Sequence, residues 1–217
     1  MQVFADQSLP LPLPPSRSIL AALLLAVLTV GVGAAKSFGS AYVRETNFSL
    51  VDVNGGDDKW LECEIVVEVR RDDGDAERKR PEYMDDLSVE LVMGMETFRD
   101  RRSGFEFFRS DAQLVSLREG KHYIRFYLPY EIVKRDAMGR EPHSFIVRLS
   151  RGGLELGEFI SPSLARTNVK ESFLSRVGKE SAANEGILLP QNETPFLVMY
   201  PDSTPSFRGR GLVQEKN

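Results

Sequence analysis

The chain of 217 residues contains one cysteine, two histidines and one tryptophan. A single cysteine excludes a disulfide framework within the chain, and it also excludes a zinc site built from several thiolates. With only two histidines, a catalytic or metal site built from several histidines is excluded. Acidic residues outnumber basic ones by 32 to 28, which gives a formal net charge of -4. This balance argues against nucleic acid as a partner, because phosphate binding draws on clustered cations in excess.

The first 35 residues have the pattern of a secretory signal peptide. Residues 19–32 are apolar apart from Thr29 and Gly31, and small residues at 33–35 precede a cleavage position after Ala35. A stretch of about 14 residues is short of the roughly 20 that span a bilayer. We therefore predict that residues 1–35 are a signal peptide, with a retained N-terminal anchor as the alternative.

Alternation of apolar and polar residues predicts about eight short strands. In residues 59–70, Leu61, Cys63 and Ile65 alternate with Glu62 and Glu64, the period of a half-buried strand. The other segments with this pattern are residues 87–95, 122–128 and 145–149, and more weakly 42–53, 104–109, 113–117 and 154–160.

The connections between these segments are short and carry turn residues, as at Glu119-Gly120 and Arg151-Gly152-Gly153. None is long and apolar enough for repeated crossover helices, so we predict antiparallel pairing. Residues 36–165 are therefore predicted to form a mainly β domain, an immunoglobulin-like antiparallel β-sandwich. A barrel is the alternative.

The C-terminal part, residues 166–217, is predicted to hold one helix followed by an arm. Within residues 168–181, Val169, Phe173 and Val177 recur at helical spacing, and Asn168 with Glu171 has the pattern of a capping box. A further short helical turn is predicted at residues 129–136. After the helix, prolines interrupt two apolar runs and make them unsuitable as central strands.

We therefore expect an extended arm that packs on its own domain or on a partner. The candidate partner-binding residues on it are Ile187, Leu189, Phe196, Val198 and Tyr200.

Other candidate sites have a simpler structural interpretation. Cys63 lies on the predicted inner face of a strand and is expected to be a buried free thiol. His122 and His143 have no ligand at a metal-binding spacing, and the chain has no Gly-x-Ser-x-Gly elbow to support a serine hydrolase.

Residues 70–82 mix acids with cations and favour a solvated hairpin loop over a calcium site. The basic and aromatic residues 99–108 favour a turn entering a strand. We therefore predict no catalytic, cofactor-binding or metal-binding residues.

Several segments resemble one known family. Residues 115–136 (VSLREGKHYIRFYLPYEIVKRD) and residues 168–186, especially Phe173-Leu174-Ser175-Arg176 and Ala183-Asn184-Glu185-Gly186, look like the pilus-like protein family of the Verrucomicrobia. Pro190-Gln191, Thr194-Pro195-Phe196 and Pro205-Ser206-Phe207 extend the resemblance, which covers most of the chain after residue 35.

The resemblance implies an exported, non-enzymatic protein with an immunoglobulin-like sandwich, associated with type IV pilus-like machinery. On this hypothesis the chain crosses the inner membrane to the periplasm, the outer membrane or the exterior. It would be a structural or adaptor protein that binds envelope proteins through a sheet edge or the arm. Membrane contact would come only through an uncleaved leader.

The alternative is an extracellular binding module for glycans or host surface proteins, with an aromatic platform at Tyr123, Tyr127 and Tyr130.

Overall fold

A computed structural model describes residues 40–53, 55–70 and 83–209 of the chain. The predicted signal peptide and nearly all of the charged loop at residues 70–82 lie outside this described part. The elements of the described part are β1 (Ser40–Val51), β2 (Trp60–Arg70), β3 (Tyr83–Arg99), β4 (Arg102–Arg118), β5 (Gly120–Leu128), α1 (Tyr130–Arg135), β6 (Ser144–Arg151), β7 (Leu154–Ile160), α2 (Thr167–Glu180) and β8 (Leu189–Pro190).

These strands form two four-stranded antiparallel sheets. Sheet A has the order β1-β2-β5-β8, and sheet B has the order β4-β3-β6-β7. The predicted mainly β, immunoglobulin-like antiparallel sandwich is confirmed. The two sheets bury their facing surfaces against each other, as two-sheet proteins of this class do.

The core lies between the inner faces of the sheets, where the alternating apolar residues point. Leu61, Cys63 and Ile65 of β2 are each at most 1% exposed. Across the interface, the Met93 sulfur of β3 lies 3.8 Å from the Cys63 sulfur. The alternation in the sequence therefore identifies the buried face of β2 correctly.

One strand is longer than the sequence pattern suggests. The predicted segments 104–109 and 113–117 belong to the single strand β4, which pairs with β3 along almost its whole length. Ser110, which interrupts the apolar pattern, is an inner-face residue at 6% exposure, between the buried Phe108 and Ala112. The strand continues because its pairing partners on β3 are apolar and in register.

The helix α2 packs on the outer face of sheet B. Its Phe173 and Val177 are buried in a small second core with Val92, Phe107 and Ile146. The predicted helix is therefore present, but the predicted Asn168 cap is wrong. The cap position lies two residues earlier, at Arg166, which makes no side-chain cap. Backbone hydrogen bonds from Val169 and Lys170 to the Arg166 carbonyl, each 3.0 Å, close the first turn instead.

The C-terminal arm, residues 187–209, closes one side of the sandwich. Its strand β8 pairs Leu189 with Tyr127 of β5 in sheet A. Further on, Phe207 forms a bridge with Leu114 of β4 in sheet B, and the Arg208 amide donates to the Gln113 carbonyl at 2.7 Å. Within the described residues, no strand pairs with the outer edge of β1 or of β7, whereas the arm pairs with short stretches of the β5 and β4 edges.

The described helices are all too short or too polar for a membrane-spanning segment.

Candidate partner-binding site at the C-terminal arm

An aromatic anchor fixes the C-terminal arm to the outer face of sheet A. Phe196 is fully buried, and its ring stacks on that of Tyr127 with centroids 4.4 Å apart and an interplanar angle of 1°. The Trp60 ring meets Phe196 edge-on at 5.5 Å. Large aromatic side chains in such contacts contribute much of a local packing energy. Phe196 therefore belongs to the packed interior of this domain.

Local hydrogen bonds shape the chain on both sides of this anchor. Gln191 is fully buried, and its amide nitrogen donates to the Phe196 carbonyl at 3.1 Å and to the Thr204 hydroxyl at 2.9 Å. The Thr194 hydroxyl accepts from the Phe196 amide at 3.3 Å and so caps the turn Pro195–Val198. The arm was predicted to be extended, but it contains this helical turn. A capping threonine followed by proline favours such a turn.

A buried polar network holds the end of the arm. The Glu62 carboxylate, in a residue 7% exposed, accepts from the Tyr127 hydroxyl at 2.7 Å and from the Tyr200 hydroxyl at 3.1 Å. The Arg125 guanidinium lies 3.9 Å from the centroid of the Tyr200 ring and forms a salt bridge of 2.7 Å with Glu64. A buried charge is tolerated only where partners of this kind satisfy it.

The tyrosines of this network remain hydrogen-bond donors. Burial, followed by the hydrogen bond to Glu62, raises the pKa of Tyr127 well above its ordinary value. Burial also raises the pKa of Tyr200, and the negative charge of Glu62 adds to the effect. Both hydroxyl groups therefore stay protonated and bind the carboxylate at any physiological pH.

The five candidate residues of the arm have different surroundings. Ile187 is half-buried against the main core, and Leu189 is half-buried in β8. Phe196 is buried and Tyr200 is half-buried, and both pack against the outer face of sheet A. Val198 is the one of the five that is mainly open to solvent, at 78% exposure.

Two exposed neighbours of Val198 were missed by the sequence reasoning. Leu197 is 43% exposed and Met199 is 41% exposed. An extended segment would present alternate residues on one side, whereas the turn exposes three consecutive ones. Residues 197–199 together are called the arm tip below. A capping Thr194 before Pro195 was the signal that could have revealed this turn.

The open edges of the sandwich are a second candidate interaction surface. Strand β7 carries Leu154, which is 74% exposed, and Leu156, which is 39% exposed. Strand β1 forms the open edge of sheet A and packs beside β7. An unpaired edge offers backbone groups to an added strand. The apolar side chains on β7 are suited to accompany such pairing.

The nucleophilic side chains considered as candidate chemical groups are buried in the fold. Cys63 is 1% exposed, and burial, together with the charge of Glu62, raises the pKa of its thiol. The His143 ring nitrogen lies 2.8 Å from the Ser144 hydroxyl, but Ser144 is only 3% exposed, and its oxygen lies 3.1 Å from that of Ser163. Among the described residues, no group of three His, Cys, Asp or Glu side chains is placed to hold a metal ion.

The predicted tyrosine platform is not formed. Tyr127 is fully buried, since the ring of Phe196 covers it. Tyr123 is half-buried beside Arg125. The three tyrosines therefore do not present one exposed aromatic surface.

The fold and this site define a β-sandwich of immunoglobulin type that is closed on one side by its own C-terminal arm. No protein-family model matches the chain. No curated protein matches it either. A crystal structure of a protein from Akkermansia muciniphila has a similar fold, with a TM-score of 0.60 and 18% sequence identity over 79% of this chain and 94% of the other.

Proposed function

We propose that this chain is an exported structural or adaptor protein of a type IV pilus-like envelope assembly, and a member of the verrucomicrobial pilus-like family that it resembles. The observation that carries the proposal is the fold shared with the protein from Akkermansia muciniphila, taken together with the family resemblance of the sequence. The likeness spans nearly all of that neighbour. The segments named for the family resemblance fall in three places: the end of β4 with β5 and α1, the helix α2 with the residues after it, and the arm.

Binding through a sheet edge or the C-terminal arm is the mechanism we propose. The arm pairs with short stretches of the β5 and β4 edges, whereas no described strand pairs with the outer edges of β1 and β7, so we assign strand addition to β1 and β7. The arm tip offers a separate apolar contact. Both surfaces carry exposed apolar side chains, which is typical of protein interfaces.

We also propose that the chain is not an enzyme. The inaccessible Cys63 thiol and the buried Ser144 hydroxyl support this, because a nucleophile must be reached by its substrate.

Affinity capture from envelope extracts of the source organism, followed by mass spectrometry, tests the proposal. We expect the wild-type protein to enrich pilus-assembly proteins. Val198→Asp places a charge on the arm tip, and Leu154→Asp places one on the β7 edge. Because both side chains are more than 70% exposed, the variants should stay folded, and the one that faces the partner should lose capture at least tenfold.

Tyr83→Asp is the matched control, since Tyr83 is 48% exposed at the start of β3, outside both surfaces. It should capture like the wild type. Unchanged capture by both test variants would show that neither the arm tip nor this edge is the binding surface. Enrichment of no envelope protein by the wild type would contradict the proposed role.

A further inference from the structure

A third surface lies on the outer face of sheet B, away from the arm. One cavity of about 430 Å³ lies between the sheet and α2. A second, of about 570 Å³, lies beside the hairpin of β3 and β4. Phe105 and His143 line both cavities. The two adjoin and are together called the Phe105 trough below.

The floor of the Phe105 trough is aromatic and partly open to solvent. The Phe107 and Phe173 rings meet edge-to-face with centroids 5.7 Å apart, and the Phe105 ring meets the His143 ring at 5.1 Å. Phe105 is 38% exposed. Gly94 keeps this floor open, because a Cβ there would lie 3.1 Å from the Phe107 ring. The trough can therefore receive an apolar side chain from outside.

The charged side chains that line the two ends of the Phe105 trough have opposite signs. At the α2 end, the Arg176 guanidinium lies 4.7 Å from the centroid of the Phe107 ring and pairs with Glu180 on its own helix. At the hairpin end, Glu96 and Glu141 line the second cavity and are exposed. Within the described part of the chain, no cation forms a salt bridge with either carboxylate.

We propose that the Phe105 trough binds an extended peptide segment of a protein partner, in which a large apolar residue lies between an acidic and a basic residue. The apolar side chain would pack on Phe105 and Phe107. The acidic residue would face Arg176, and the basic residue would face Glu96 and Glu141. The charges of this peptide are opposite to those of the trough residues that they would face. Two adjoining cavities with charged residues of opposite sign suit a chain segment better than a compact ligand.

The two kinds of contact have different roles in this binding. Burial of apolar area on the aromatic floor provides most of the affinity, because free energy follows the area removed from water. Exposed ion pairs add little affinity, but they select the partner and fix its direction. Removal of an aromatic ring should therefore weaken all peptides, whereas reversal of a charge should change which peptides bind.

A random heptapeptide phage library selected on the immobilised full-length protein tests this inference. We expect an enriched consensus with a large apolar residue between an acid and a base. A synthetic consensus peptide should bind at least tenfold more weakly to Phe105→Ala and to Arg176→Glu, as measured by fluorescence anisotropy. Replacement of its acidic residue by lysine should restore binding to the Arg176→Glu variant.

Arg44→Glu is the matched control, since Arg44 is also an exposed arginine paired with a glutamate, Glu68, at 2.5 Å, but on sheet A. It should bind the consensus peptide like the wild type. Failure to enrich a consensus, or a consensus peptide whose binding is equal in Phe105→Ala and the wild type, would overturn the inference. The Phe105 trough is separate from the arm tip and the β7 edge, so a failure of this inference leaves the proposed function standing.

Discussion

Replacement of Phe196 by alanine should strongly destabilise the domain. The side chain is fully buried, stacked on Tyr127 and edge-on to Trp60. Truncation of a buried phenylalanine costs about 3–5 kcal/mol, and loss of the aromatic pairs is part of this cost. Because whole domains are stable by only about 5–15 kcal/mol, this residue should contribute a large share of the free energy of unfolding.

Urea unfolding, followed by circular dichroism, measures this effect. We expect Phe196→Ala to lower the free energy of unfolding by about 3 kcal/mol or more, with Phe196→Leu losing less because it refills part of the cavity. Val198→Ala is the matched control from the same turn, and a change within about 0.5 kcal/mol is expected there because the side chain is exposed.

A loss of less than about 1 kcal/mol in Phe196→Ala, equal to that in Val198→Ala, would refute this reasoning. It would mean that the C-terminal arm is attached only loosely. The arm would then be free to bind a partner with its whole apolar face, Phe196 included.

Three further predictions follow from single sites. Cys63 should resist iodoacetamide at pH 8 in the folded protein and react once urea is added, since burial raises the pKa of its thiol; fast labelling of the native protein would contradict this. The hydrogen bond from Arg135, with a further one from Arg99, holds the pKa of Asp136 below its ordinary value. The ion pairs of Asp136 should therefore stabilise the fold above the ordinary carboxyl pKa, and this stabilisation should be lost as the pH falls through the lowered pKa of Asp136. In thermal melts at a series of pH values, Asp136→Asn should remove this loss of stability in acid. An unchanged pH profile would argue against the ion pairs. Gly94→Ala should destabilise by roughly 1–3 kcal/mol in urea unfolding, because the new Cβ would lie 3.1 Å from the Phe107 ring and 3.2 Å from the Phe173 ring; a neutral effect would show that α2 shifts freely.

The strands were predictable because their pattern is local. Residue alternation along β2 reports one buried face, and Cys63 falls on it as expected. Ser110 shows the limit of this reasoning, since a polar residue on the inner face of β4 looked like a break between two strands. Register with the neighbouring strand β3 decided the outcome, and the residue pattern of β4 alone does not contain that information.

The docking of the C-terminal arm was not predictable from the same pattern. The sequence left open whether the arm packs on its own domain, and Phe196 finds its place only through Tyr127 and Trp60, which are distant in the chain. The Phe105 trough was also missed. Its aromatic residues were interpreted as a turn entering a strand, and their pairing with α2 depends on tertiary contact.

Photo-crosslinking in intact cells of the source organism tests the central claim most directly. A photoreactive residue in place of Val198, and separately in place of Leu154, would report what contacts the arm tip and the β7 edge. The proposed role predicts crosslinks to proteins of the pilus-like assembly from at least one of these positions and none from Tyr83. Crosslinks confined to cytoplasmic proteins would contradict it.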